Sequence, residues 1–295
     1  METTIVGARH GSARATRPAL DNAPPAAAPP ARLAALARGL WWGAAGVLAF
    51  VLAVPVLALV WRALTGRDGW NEHTWTTLRQ ALGLSLGTSA VSMAVIVALG
   101  TPLAWGLARR PFPGRRLVDA MVDLPVVLPP AVAGIALLMA FGRYGVVGRW
   151  LDAAGIGVGF TTAAVVLAQI FVAAPFYVRA AAGGFARIER EIEEAAADLG
   201  ASPSRVFWTI TARLALPSLL AGVVLAWARA LGEFGATIMF AGNFPGVTQT
   251  MPLAIYATFG AGDLPTALLL SLALLVVSLA VLAGARRGAM TASGR

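Results

Sequence analysis

The sequence predicts an all-α membrane protein of six transmembrane helices, and three observations predict it. The 295 residues are 58% hydrophobic and only 13% charged, against roughly 45–50% and about 25% in soluble domains. Six apolar stretches, 41–61, 81–107, 121–141, 160–182, 214–240 and 264–284, reach the length of about 20 residues that a helix needs to cross a bilayer core. Arg residues alternate in density between those stretches. The N-terminal segment and the connections after the second, fourth and sixth stretches hold 16 of them, and the other connections hold 5. An Arg excess marks the cytoplasmic side, so both termini are expected there. Membrane-barrel strands would be about 10 residues long and alternate apolar with polar; these runs are longer and continuous.

The same composition excludes several function classes. There is no Cys, hence no disulfide framework, thiol nucleophile or thiolate metal site. His10 and His73 are the only histidines, too few and too far apart for a His-rich metal centre; neither a metal site nor a catalytic residue is expected. All 23 basic residues are Arg, so the chain lacks the Lys of a Walker A loop and is not itself a P-loop ATPase. The net charge of +9 is accounted for by membrane topology rather than by nucleic-acid binding.

Along the chain, residues 1–40 come first and differ from the rest. Residues 23–31 read APPAAAPPA between scattered Arg, a composition that cannot bury enough surface to fold, so a flexible cytoplasmic tail is expected. The apolar run that follows is longer than the 7–15 residues or so of a signal-peptide core, which favours a retained first helix. Residues 41–287 are expected to form the six-helix transmembrane domain and 288–295 a short cytoplasmic tail. Gly83 and Gly87 place small residues one turn apart on the second span, suited either to a subunit contact or to packing within one bundle. Pro125, Pro129 and Pro130 should bend the third span and Pro175 the fourth. Trp41, Trp42, Trp61, Trp70 and Trp75 are expected at the membrane interfaces. The connection 241–263 contains Asn243, Thr248 and Gln249 but no Arg, so it lacks the positive charge that an anion-capturing site would want.

One cytoplasmic connection, 183–213, stands apart. Phe185, Ile188, Ile192, Ala195 and Leu199 fall at helical spacing, with Glu189, Glu191, Glu193, Glu194 and Asp198 off that stripe, which predicts a short amphipathic helix. Gly200 ends it, since a left-handed C-cap is cheap for Gly. Ser202 and Pro203 start a second helix as N-cap and first residue, and Phe207, Ile210 and Leu214 carry an apolar face into the fifth span. A polar face with five carboxylates has the wrong sign for an anionic cytoplasmic leaflet, so a protein partner is preferred over a helix resting on lipid.

Glu194-Ala195-Ala196, followed by Gly200 and Ile210, resembles the EAA loop of bacterial ABC-importer permeases. Asp123-Leu124-Pro125 with Leu128 to Gly134, and Leu231 to Thr237 with Thr250 to Tyr256, look like molybdate permeases, a pattern shared by tungstate and sulfate permeases. The resemblance runs from about residue 81 to 287. It implies a type I importer permease fold in a bacterial inner membrane, with Glu194, Ala195, Ala196, Gly200 and Ile210 in the loop that couples to the ATPase. It further implies a second copy of the chain, two cytoplasmic ABC ATPase subunits holding the ATP and Mg, a periplasmic or lipid-anchored oxyanion-binding protein, and no cofactor on this chain. Related permeases often carry Leu-Pro twice near the end of the loop; here Ala212-Arg213 stands at the first place and only Leu216-Pro217 at the second.

Within the fifth span, Arg229 and Glu233 are four residues apart and so share a helix face. A charge at mid-bilayer costs about 2.5–3.5 kcal/mol on insertion scales, which turns such residues toward a bundle interior or an aqueous path. Two readings stand: a place by the anion's route or gate, or a mutual pair that locks the helix. Thr237, one turn on, is a weaker pathway candidate whose hydroxyl is expected to bond its own helix. An ion-coupled secondary transporter is the competing class, but no inverted repeat is visible and the patterned loop would then have no purpose. An intramembrane enzyme would need a reactive constellation in the spans, which both histidines lie outside.

Overall fold

The computed structural model describes residues 31–66 and 70–293, with the side chains of 39–66 and 70–284; most of the N-terminal tail lies outside the described residues. The chain divides into two compact units, 1–55 and 56–295. The described part of the first unit is helical and belongs to α1 (Ala31–Thr65), which continues into the second. Helix therefore begins ten residues before the expected first span, inside the segment assigned to the tail.

Every regular element among the described residues is helical. Five helical stretches are long and apolar enough to cross a bilayer: 39–65 in α1, α2 (Glu72–Arg109), α6 (Thr162–Ala186), 203–231 and 264–284. The expected third span is not one continuous helix. It is carried by α3 (Arg115–Val127) and α4 (Pro130–Phe141), separated at Leu128 and Pro129. Two consecutive prolines remove two backbone donors, and a residue before proline is pushed out of the helical region; Leu128 accordingly sits at φ −66°, ψ 132°. The prolines thus break this span, where a bend was expected, whereas Pro175 lies inside an unbroken α6.

The expected fifth span is interrupted as well. A one-turn α8 (Pro203–Val206) leads through a π turn at Phe207–Thr211 into α9 (Ala212–Leu231), and after a break α10 (Gly235–Phe240) follows. The connection 241–263, expected as a loop, contains α11 (Met251–Gly260), and α12 (Leu264–Ser293) extends helix through most of the expected C-terminal tail. The elements α5 (Gly148–Ala153) and α7 (Arg190–Asp198) lie in the connections before and after α6.

The second unit is built around α6, which packs on α2 and α9. Tyr177, Ala181 and Phe185 of α6 are buried with Met93, Ile96 and Ala104 of α2 and Ala226 and Ala230 of α9. The contact is close because glycines stand at it: a Cβ on Gly100 would come within 2.9 Å of the Tyr177 ring. Small residues at helix crossings are the membrane route to tight packing. Polar side chains supply further links. Ser92 Oγ donates to Gln169 Oε1 at 2.9 Å, Gln169 Nε2 donates to Thr88 Oγ1 at 3.2 Å, and Trp227 Nε1 donates to Ser89 Oγ at 2.9 Å. Such interhelical bonds are worth about 0.6 kcal/mol each on average. Gly83 and Gly87, in contrast, face open space, with nothing within 4 Å of an added Cβ, so the small-residue pair on α2 is not used for packing among the described residues.

A second cluster joins α4, α6 and α10 around Ala133, Leu137, Val165, Ala168 and Phe240. Here Gly134 lets the backbones meet: its Cβ would lie 2.7 Å from the Ala236 carbonyl oxygen. The two breaks, in the third and fifth spans, therefore end in short helices that pack on each other.

Candidate coupling site

The loop after α6 is organised by its own sequence. Phe185 closes α6 inside the core and Ile188 is buried below it, so these two belong to the bundle. The amphipathic helix starts only at Arg190, later than the spacing from Phe185 predicts. Its first turn carries Glu191 and Glu193, which oppose the positive end of the helix dipole.

Gly200 ends the helix as expected. Its φ is +86°, its N–H donates to the Ala197 carbonyl at 2.8 Å, and the Ala201 N–H donates to the Ala196 carbonyl at 3.1 Å. That pair of bonds is a Schellman cap. Nothing lies within 4 Å of a Cβ built on Gly200, so backbone conformation, not space, requires glycine there. Ser202 then accepts from the Arg205 N–H at 3.4 Å as N-cap, with Pro203 opening α8. The π turn at Phe207–Thr211 was not expected; it lies immediately before Ala212-Arg213, where the sequence departs from the two Leu-Pro pairs of its look-alikes.

No residue of α7 is buried. Glu194 and Ala195 are exposed, Ala196 is half-buried, and Ile192 and Leu199 stand 43% and 90% exposed. The outer half of the predicted apolar stripe thus faces outward, beside acidic groups, as a surface open to a partner. Ile210 lies half-buried in the π turn.

Glu193 behaves differently from the other carboxylates, and the sequence pattern gave no sign of it. Its Oε1 accepts from Arg109 Nη2 at 3.2 Å and from the Thr211 hydroxyl at 2.6 Å, while Arg190 Nη2 donates to the Arg109 carbonyl at 3.3 Å. Arg109 ends α2 and is nearly buried, its side chain 9% exposed. One carboxylate thus ties α7 to the end of α2 and to the π turn that leads into α9. Glu193, Glu194, Arg109, Arg190 and Thr211 line one cleft of about 400 Å³. The signal available in the sequence was only that Glu193 and Glu194 are adjacent, so that both cannot face the same way on a helix.

The membrane candidates form a separate group. Arg229 lies in the last turn of α9, and Glu233 lies beyond that helix's end at Leu231. They do not share a continuous helix face, yet they pair: Arg229 Nη1 stands 2.7 Å from Glu233 Oε2, an ionic contact without hydrogen-bond geometry. The other oxygen of Glu233 accepts from the Ala236 N–H at 2.7 Å, so this carboxylate, 1% exposed, also holds the start of α10. Arg229 is 31% exposed. Thr237 is buried and its hydroxyl has no partner among the described residues. The expected bond to its own helix is not made.

A third ionic cluster joins α3 to α6 and is not marked by any sequence pattern beyond the motif that contains Asp123. Arg179 of α6 holds Asp123 of α3 through both oxygens at 2.6 Å and Asp119 at 2.6 Å. Asp119 and Asp123 are one turn apart and reach the same guanidinium.

Comparison with known proteins bears on the chain as a whole. Residues 96–287 match the family described as binding-protein-dependent transport system inner membrane component. The chain is 45% identical over 259 residues to the molybdenum transport system permease protein ModB of Mycobacterium tuberculosis, covering 88% of this chain and 96% of that protein. It is 42% identical to the protein of the same name from Escherichia coli, over 68% of this chain and 90% of the other. It is also 35% identical to a probable sulfate transport system permease protein of Chlorokybus atmophyticus, over 83% and 86% of the two chains. Among solved structures, a chain of the MetNI methionine ABC transporter superposes with TM-score 0.61 at 18% identity, covering 76% of this chain and 99% of that one. A chain of a bacterial alginate ABC transporter superposes with TM-score 0.65 at 17% identity, covering 85% and 92%. These structural likenesses establish the fold.

Proposed function

This chain belongs to the family of binding-protein-dependent transport system inner membrane components, and from that premise we propose that it is the permease subunit of an ATP-driven importer of molybdate. The relatives named for molybdenum transport support the substrate. The observation that carries the mechanism is the exposed, acidic α7, held on the bundle by its own inward-turned Glu193 and ended by a left-handed Gly200.

In this reading α7 docks on a cytoplasmic ABC ATPase through Glu194, Ala195 and the exposed Ile192 and Leu199. Ala196, Gly200 and Ile210 hold the docked helix on the bundle. A second copy of the chain completes the translocation path on a two-fold axis, and two ATPase subunits bind one α7 each. ATP and Mg are held by those subunits, and hydrolysis occurs there. Their closure pulls the two α7 helices together, and the bundles rock between outward- and inward-open states. An oxyanion-binding protein outside the cell delivers the substrate, in keeping with the absence of Arg from 241–263. The Arg distribution supports a cytoplasmic side for both termini, in the inner membrane of a bacterium. Arg229, Glu233 and Thr237 are kept as pathway or gate positions. The partly exposed Arg229 guanidinium offers an anion a contact, and Glu233 holds it in place.

The test is reconstitution of this chain with its ATPase and binding protein in vesicles. Molybdate uptake should require ATP and persist when ion gradients are collapsed; uptake driven by a gradient without ATP defeats the proposal. Because a sulfate permease is also 35% identical, excess sulfate and tungstate are added as competitors. Competition by sulfate at equal concentration moves the substrate to that anion.

A further inference from the structure

Next to the coupling cleft, and sharing its wall at Trp105, Arg110 and Phe207, lies a larger cavity of about 740 Å³. Its walls come from α2, α6 and the α8–α9 segment, through residues such as Val97, Trp105, Tyr177, Trp208 and Leu220. At its floor Thr101 and Tyr177 share a hydrogen bond of 2.6 Å, and Thr101 also bonds the Val97 carbonyl. Both hydroxyls are thus engaged, and the rest of the interior is apolar, which gives water few partners.

The rim has one charge of defined geometry. Arg110 follows the last residue of α2, is exposed, and stacks its guanidinium over the Trp105 ring at 4.8 Å. Among the described residues it forms no ion pair. Val97 lies twelve residues from Arg109 on α2, about 18 Å along a helix, and half of a bilayer's hydrocarbon core is about 15 Å. The cavity therefore has the depth of one leaflet, an apolar body, and one exposed cation, unpaired among the described residues. Trp208 and Leu216, 67% and 42% exposed, also line it.

The geometry points to an anionic glycerophospholipid of the cytoplasmic leaflet as the occupant, with an acyl chain between α2 and α9 and its phosphate on Arg110. Charge complementarity selects the headgroup: the cytoplasmic leaflet is anionic and attracts Arg at its surface. The site rests on the reading that places the α7 end of the bundle in the cytoplasm. It also has a mechanical consequence. Phe207 and Trp208 of the π turn line the cavity, and Thr211 of the same turn holds Glu193, so the lipid braces the segment that links α7 to α9.

The experiment uses the full chain assembled with its ATPase in vesicles of phosphatidylcholine carrying dibrominated phosphatidylglycerol or dibrominated phosphatidylcholine at equal mole fraction. Bromine quenches tryptophan on contact, and the Trp105 contribution is the emission lost in Trp105→Phe. Quenching by the phosphatidylglycerol should be stronger by about fivefold in apparent affinity, should lose that preference in Arg110→Gln, and should keep it in Arg110→Lys. Titrating brominated phosphatidylglycerol against the wild-type protein measures the same preference should Arg110→Gln not fold. Equal quenching by the two headgroups overturns the site, as does a preference that survives Arg110→Gln. Absence of quenching by either lipid overturns it too, because a second copy or another protein then covers the cavity. Molybdate uptake in the same vesicles keeps the two readings apart: uptake without headgroup preference defeats the lipid site alone, and preference without uptake defeats the transport reading alone.

Discussion

Glu193 and Glu233 are both carboxylates paired with Arg, and they are built for opposite purposes. Glu233 pairs with Arg229, four residues away, and with the N–H of Ala236, three residues away. Everything it holds lies within one short piece of chain, so it shapes the break between α9 and α10 and is almost inaccessible. Glu193 pairs with Arg109, 84 residues away, and with Thr211 in the next segment. It joins three elements at the edge of the bundle: α7, the end of α2 and the π turn that leads into α9. Sequence range, more than burial, separates a local brace from a linkage.

The largest effect is expected at the brace. Removing one member of a buried ion pair leaves the other charge uncompensated, which costs about 3–5 kcal/mol when both are buried; Arg229 is partly exposed, so Glu233→Leu should fall toward the lower end of that range. Thermal unfolding of the purified protein measures it. The double variant Arg229→Leu with Glu233→Leu should recover the part of the loss that belongs to the ion pair, and a double variant no better than the single would assign the whole effect to the bond with the Ala236 N–H.

Next is the elbow. At φ +86° a side chain with a β-carbon costs about 1–2 kcal/mol, and there is room for it, so Gly200→Val should strain the backbone without a clash. ATPase activity should continue while molybdate uptake per ATP falls, and Gly200→Asn, which tolerates left-handed backbone better, should lie between. Normal uptake by the Val variant would remove the rigid elbow from the mechanism.

Glu193→Gln keeps an acceptor for Thr211 but loses the charge that faces Arg109. Arg109 is nearly buried, its side chain 9% exposed, so leaving its charge without the carboxylate costs more than the roughly 0–1 kcal/mol of a surface pair. The acceptor that Gln keeps holds the loss below that of a fully broken buried pair. Uptake per ATP should drop while pull-down of the ATPase is unchanged. Loss of pull-down would make Glu193 a docking residue rather than a linkage. Glu194→Arg inverts that pattern. It is exposed and should alter stability by less than about 0.5 kcal/mol, while recovery of the ATPase falls severalfold. Unchanged recovery favours a helix that rests on the membrane.

Much of this arrangement was legible beforehand, for local reasons. Apolar runs and Arg alternation located the long helices because lipid leaves the backbone few other solutions. Gly200, Ser202 and Pro203 were legible because caps are set by the conformational preferences of single residues. The break at Leu128 and Pro129 was written in the prolines, and only its degree, a separation rather than a bend, was underestimated. The end of α9 at Leu231 was obscured by an apolar run that continues to Phe240, since hydropathy does not register a helix ending inside a buried segment.

What the sequence determined alone is therefore what depends on local composition or on a single turn: where the long apolar helices lie, the elbow at Gly200, and the exposed acidic helix. Tertiary structure decided which of five similar carboxylates turns inward, that Thr237 has no partner among the described residues, that Arg179 gathers two aspartates, and that α2 and α9 leave a cavity of about 740 Å³ between them. Those outcomes depend on side chains brought together from distant positions, and a ladder of identical Glu residues carries no mark of which one will meet Arg109.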